Sequence, residues 1–176
     1  STTATVPDSF PRRSSHRGVY GRRPGQAWAV SIRPARPEDA AYVLAVRNLP
    51  DVRASSLDTR EITEEEHTRW WADCGQAGTW IIEEPCDVMI GDICPAGYVR
   101  VSRAGFVSIA VVGWARGRGV ATQALREVMA LRGQLVAIVQ EGNGTSRRLF
   151  ARCGFRPIDA TVVNGNVLMR YEWSTN

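Results

Sequence analysis

Between Val107 and Leu125 an apolar, strand-like run, Val107–Val112, passes through Arg116-Gly117-Arg118-Gly119 into an amphipathic stretch that can form a helix. The first backbone N–H groups of a helix have no intrahelical partner, and the helix start carries about half a unit of positive charge. Small residues at Gly117, Gly119 and Ala121 let an anion approach those amides, so the strand–turn–helix unit suits a pyrophosphate. The other reading of the same residues is that the two glycines only shape a tight turn. A P-loop is excluded because no Lys follows the glycines, and a Rossmann unit fits poorly because the upstream strands look like hairpins rather than alternating βαβ units.

These residues need a scaffold to position them. Ala29–Arg33 alternates like a half-buried strand, and Pro37 with Glu38 and Asp39 opens a first helix that runs to about Arg47. Asn48-Leu49-Pro50-Asp51 breaks it, and the Thr63/Glu66 capping box starts a second helix that carries His67, Trp70 and Trp71 and ends near Gly75. Three strand-like runs follow, Thr79–Glu83, Ala96–Ser102 and Gly105–Val112, joined by connectors suited to an antiparallel meander. The spacing then predicts a helix over about Gly117–Leu131, a strand at Leu135–Gln140, a helix at Thr145–Arg152, and closing strands at Arg156–Val162 and Val167–Glu172.

Composition narrows the function. With 176 residues, 44% hydrophobic and 23% charged, the chain has the size and balance of one soluble globular domain, and it holds no apolar run long enough to span a membrane. All 22 basic residues are Arg. The net charge of +4 sits in residues 1–23, where five arginines face Asp8 alone, and the rest is balanced. A balanced body has no basic stripe for a duplex, so neither nucleic acid nor membrane is expected as a partner. Residues 1–27, rich in Ser, Arg, Gly and Pro, read as a flexible basic extension, and 28–176 as a single domain. Cys74, Cys86, Cys94 and Cys153 form no C-x-x-C pair and lie far in sequence from His16 and His67, so no metal is expected. Reduced thiols in a cytoplasmic protein are the expected state.

Arg116-x-x-Gly119-x-Ala121, followed by Asn143, Ser146, Leu149-Phe150 and Gly154-Phe155, resembles the two signatures of the GNAT superfamily, the Gcn5-related N-acetyltransferases. The resemblance covers roughly residues 29–173. It implies an α/β (α+β) fold with a mixed, mostly antiparallel central sheet of about seven strands, splayed between strands 4 and 5 and flanked by about four helices. It also implies acetyl-CoA as cofactor in the opening. The pantetheine arm would bond the fourth strand's backbone at Ile109 and Val111. The pyrophosphate would sit on Arg116, Gly117, Arg118, Gly119, Val120 and Ala121, with Asn143 and Ser146 beside the thiol end. An Asn-Gly-Thr-Ser run is also a good turn and helix cap.

Acetyl transfer to an amine needs a neutral amine, a positioned carbonyl, an oxyanion donor and a proton for the departing thiolate. The family's usual acid is a Tyr in the Leu-aromatic pair, and this chain has Phe150 there. Ser146, another side chain or water then takes that role, and no general base can be assigned. A CoA thiolate leaves at a pKa near that of free Cys, ~8.5, so an acid helps without being indispensable.

Arg47-Asn48-Leu49-Pro50-Asp51-Val52-Arg53 with Glu65-Glu66-His67-x-x-Trp70 resembles a subgroup containing acetyltransferases of nucleotide-linked amino sugars and ribosomal-protein Nα-acetyltransferases. That resemblance implies that Arg47 and His67 contact the acceptor, since an Arg and a His can hold a nucleotide diphosphate. Arg47 could instead satisfy the end of its helix, and His67 could be an ordinary surface or partly buried histidine. Of Trp70 and Trp71, adjacent on a helix, at most one can line a cleft; Trp70 is taken as the acceptor-side residue. The expected function is acetylation of a primary amine on a small molecule, foremost an amino-sugar nucleotide. A protein N-terminus as acceptor, or a non-catalytic CoA-binding domain, are the competing readings. A homodimer is compatible with all three.

Overall fold

The computed structural model describes residues 30–85 and 93–175, so the whole of the basic extension, 1–27, lies outside the described residues. Strand β1 (Ser31–Pro34) is followed by a 3-10 turn (Pro37–Asp39), α1 (Ala40–Asn48), α2 (Pro50–Ala54) and α3 (Glu64–Trp70). A π-turn (Trp71–Gly75) then leads to β2 (Thr79–Pro85), β3 (Ile93–Val101) and β4 (Val107–Val111). The second half runs α4 (Val120–Ala130), β5 (Gln134–Gln140), α5 (Gly144–Arg152), β6 (Arg156–Val163) and β7 (Asn166–Ser174).

The first four strands form an antiparallel meander in the order β1-β2-β3-β4, and the last three form a second antiparallel sheet, β5-β7-β6. The two sheets touch at one end only. Phe106 and Val136 make a single parallel bridge, supported by Val136 N–H donating to Gly105 O at 2.9 Å. Beyond that bridge β4 and β5 are not neighbours in either sheet, which is the expected splay between strands 4 and 5. Helices α1 and α3 pack together with α1 against β3 and β4, while α4 packs on β1, β3 and β4, and α5 on β5 and α4. Val43, Ile81, Ile82, Val99, Leu125, Val128 and Leu135 are almost wholly buried between these layers.

Local chemistry accounts for most element ends. Thr63 accepts from Glu66 N–H and the Glu66 carboxylate accepts from Thr63 N–H, which is the expected capping box at the start of α3. The π-turn closes at Gly75 because a Cβ there would lie 2.7 Å from the Trp70 ring. Three expectations need correction. Pro50 not only breaks the first helix but also opens α2, as proline does well at a first helical position. The fourth helix starts at Val120 rather than Gly117, because Gly117 and Gly119 take φ of 76° and 85°, incompatible with a right-handed helix. There are five α-helices among the described residues rather than four.

The thiols also depart from expectation. Cys74 and Cys153 are free, but Cys94 is disulfide-bonded, so the cysteines are not all reduced. Among the described residues no helix is long and apolar enough to cross a membrane.

Candidate active site

The splay opens into a cleft of about 970 Å³ that reaches from α5 and the start of α4 across β4 to α1, α2 and α3. Its floor is the free edge of β4. Val112 N–H donates to Ala96 O on β3 at 3.0 Å, and an antiparallel strand alternates its hydrogen-bonding direction, so the N–H groups of Ile109 and Val111 point away from β3 into the gap. A row of backbone donors without a strand partner is thus presented to the opening.

The turn that follows is open. A Cβ at Gly117 would meet nothing within 4 Å, and one at Gly119 only the tip of Gln123, so space for a ligand lies directly over the first amides of α4. Gly117, Gly119, Val120 and Ala121 all line the cleft, together with Arg116. The Arg116 guanidinium is already engaged: Nε donates to Val111 O at 2.7 Å, and Nη1 pairs with Asp51 on α2. Arg118 is oriented differently from Arg116. It leaves the cleft, pairs with the buried Glu84 and stacks over Trp114 at 5.6 Å, so only its backbone remains near the turn. Burial pushes the Glu84 carboxyl upward, and Arg118 opposes that.

Asn143 and Ser146 lie on the α5 side of the cleft. Asn143 caps α5 by accepting from Ser146 N–H at 3.0 Å, and its amide also donates to Ser55 O at 3.4 Å, while Gln140 donates to Ser56 O at 2.8 Å. The chain just after α2 is therefore tied to the second sheet across the opening. Ser146 Oγ makes no hydrogen bond to a described residue. Phe150 lines the same wall, 3% exposed and edge-on to Phe155 at 5.0 Å, with no hydroxyl to offer.

On the opposite wall the structure brings Arg47, His67 and Trp70 together. Arg47 does not satisfy its own helix end; Nη2 donates to Asp58 O at 2.5 Å, and Nη1 is buried with no partner. His67 is 4% exposed, stacked on Trp71 at 5.6 Å, with Nε2 buried and unpartnered. Burial alone pulls its pKa below the usual 6.5, so it is neutral at pH 7. Trp70 lines the cleft and Trp71 packs in the core, dividing the adjacent pair as expected.

Sequence reasoning missed Asp51, Tyr98, Arg100 and Ser108, all on the cleft wall. The signal was present in the pairing pattern. Tyr98 stands opposite Ala110 and Arg100 opposite Ser108, so residues two apart on β3 share one face with residues two apart on β4.

A splayed sheet with free strand amides that lead to an open helix start defines a domain built to hold a phosphate-bearing cofactor beside an acceptor. The chain belongs to the family described as the acetyltransferase (GNAT) domain, whose model matches residues 30–156. Solved structures agree in fold. A domain from Methanocaldococcus jannaschii superposes with a TM-score of 0.72 at 20% identity, covering 84% of this chain and 99% of that one. A Salmonella typhimurium structure with its cofactor acetyl-CoA gives 0.63 at 18% identity, covering 83% and 94%. Spermidine N-acetyltransferase from Vibrio cholerae, in complex with CoA and spermine, gives 0.64 at 12% identity, covering 82% and 95%. No curated protein is matched by the sequence. Acetyl-CoA is the cofactor that goes with this family, and the open space at Gly117 and Gly119 and the unpaired N–H groups of β4 fit it.

Proposed function

We propose that the protein transfers the acetyl group of acetyl-CoA to a primary amine on a small molecule, with a nucleotide-linked amino sugar as the acceptor. The observation that carries this reading is the continuous line of unpaired backbone donors from Ile109 and Val111 to the open amides at Gly117–Ala121, facing an acceptor wall that holds Arg47, His67 and Trp70.

The bound thioester supplies an activated acetyl group. The residues then have separable tasks. The Gly119, Val120 and Ala121 amides, at the positive end of α4, hold the pyrophosphate, with Arg116 beside them. The Ile109 and Val111 N–H groups fix the pantetheine arm and place a donor at the carbonyl oxygen, where charge develops during attack. Arg47 has a guanidinium N–H to give to the acceptor's phosphate. His67, held neutral, can accept a hydrogen bond without adding charge that would repel a protonated amine. Trp70 supplies an apolar wall. Ser146 Oγ, which bonds no described residue and lies on the α5 side of the cleft, gives the proton to sulfur in place of the hydroxyl that Phe150 lacks.

The test is release of free thiol from acetyl-CoA with a panel of amines, products identified by mass spectrometry. Turnover with an amino-sugar nucleotide, and a mass gain of one acetyl group on its amine, is expected. Tight CoA binding without turnover on any amine would favour a non-catalytic CoA-binding domain instead.

A further inference from the structure

The charge on the cleft wall is unbalanced. Its acids are Asp51, Asp58 and Glu66, and every one is committed to an arginine: Asp51 to Arg116, Asp58 and Glu66 to Arg60. Arg47 and Arg100 line the same cleft and pair with no carboxylate among the described residues. Both act on one group. Tyr98 feels both: burial pushes its phenol up, and Arg47 and Arg100 each pull it back.

The three side chains come from two packed elements. Tyr98 and Arg100 project from the same face of β3, and Arg47 comes from the last turn of α1, which lies against that strand. Arg100 is braced with its guanidinium 4.8 Å from the Trp70 ring centre, a contact that orients it without satisfying its hydrogen-bond donors. Arg47 Nη1 is buried and unpartnered, and the Tyr98 hydroxyl makes no hydrogen bond to a described residue. A buried guanidinium N–H without a partner costs stability, and protein interiors rarely leave one unpaired unless something else completes it. A cationic acceptor such as a polyamine would add charge to an already positive wall.

We infer that Arg47, Arg100 and Tyr98 form an anion-binding subsite that takes a phosphate or carboxylate carried by the acceptor amine, and so restricts the acceptors to anionic amines. This rests on the acetyltransferase reading for the choice of an amine. It goes beyond it in assigning Arg100 and Tyr98 as specificity residues and in excluding polyamines. Guanidinium and phenol N–H and O–H groups donate to the anion, and its charge offsets the unpaired cations.

The experiment measures binding by calorimetry to the full chain saturated with CoA. The probes are glucosamine, glucosamine 6-phosphate, 2-amino-2-deoxygluconate and spermidine. At least one anionic amine should bind about tenfold or more tighter than glucosamine, about 1.4 kcal/mol, and spermidine weakest. Which of the phosphate and carboxylate probes wins identifies the source of the anion. Arg100→Gln and Tyr98→Phe should each remove most of that preference while leaving the CoA affinity unchanged, and Arg100→Lys should restore part of it. Equal binding of the neutral and anionic probes, binding of none of the anionic probes, tighter binding of spermidine, or an equal loss for all probes in Arg100→Gln would overturn the subsite. Failure to bind CoA would instead strike the acetyltransferase reading, so the two failures are distinguishable.

Discussion

Arg116, at the cofactor end of the cleft, is ion-paired with Asp51 at the start of α2 and also donates to Val111 O at 2.7 Å. One side chain thereby links the turn before α4, the end of β4 and the acceptor-side helices. Under the proposed placement of the pyrophosphate beside Arg116, an anionic cofactor and Asp51 would compete for the guanidinium.

Asp51→Ala should therefore tighten CoA binding by a few-fold. The pair is about half exposed on both sides, and exposed pairs are worth about 0–1 kcal/mol, so the gain stays below about tenfold. Calorimetric titration with CoA at low and high salt checks this, and the difference between variant and parent should shrink as salt rises. A weakened affinity would mean that Asp51 aims Arg116 at the cofactor instead of competing with it.

Gly119→Glu places a carboxylate and added bulk over the first amides of α4 and should lower CoA affinity at least tenfold, about 1.4 kcal/mol. Gly119→Ala is the control for backbone strain. Its Cβ would enter open space, with only the Gln123 tip at 4.0 Å, but the residue keeps a φ of 85° that alanine resists. Alanine should lower the melting temperature as much as glutamate does and reduce CoA binding far less. Equal CoA affinity in both variants would move the pyrophosphate elsewhere.

The elements legible in the sequence were those with a local cause. The Thr63/Glu66 capping box, the alternation of β1 and the glycines before α4 each act through neighbours a few residues away, and each was readable. The splay was legible only through family resemblance, since it depends on where β4 and β5 part after the Phe106–Val136 bridge. The start of α4 was misplaced because glycine's positive φ is invisible in a hydrophobic pattern. Arg100 and Tyr98 were missed because their importance comes from pairing across strands and from Arg47 on a distant helix. The ion pair between Arg118 and Glu84 was not readable for the same reason: Glu84 lies 34 residues away and is buried beside it only in the folded chain.

Buried His67 makes stability depend on pH in a definite direction. Its folded pKa lies below the 6.5 of the unfolded chain, so between the two the unfolded state binds more protons. Stability from burying the neutral ring is complete above about pH 6.5 and declines as pH falls through that value toward the folded pKa. Glu84, whose pKa is raised by burial, has the opposite sign above 4.5 and partly masks the trend. Chemical denaturation at pH 7.5 and pH 5.0 for the parent and His67→Phe isolates the His67 contribution. The parent should lose more stability on acidification than the variant, and parallel losses would place the proton uptake at another group.

Phe150→Tyr restores a hydroxyl at the position the family's usual acid occupies, on the cleft wall and next to Phe155. The ring is almost wholly buried, so the added oxygen must either enter the cleft or go unsatisfied against Phe155. Entry into the cleft is the outcome expected, because Phe150 lines it. The hydroxyl would then protonate the departing sulfur, which water or Ser146 serves in the parent. A thiolate with a pKa of ~8.5 leaves readily without help, so the gain in kcat should be modest, below the 10²–10⁴-fold of a general acid that is fully required. KM for acetyl-CoA should not change, since the ring keeps its packing. Adding Ser146→Ala to Phe150→Tyr discriminates between acids: if Ser146 is the parent's donor, its loss costs kcat in the parent and little in the Tyr variant. A loss of equal size in both backgrounds would show that the Ser146 hydroxyl does not donate that proton, since the α5 cap bond comes from the Ser146 backbone N–H and survives in alanine.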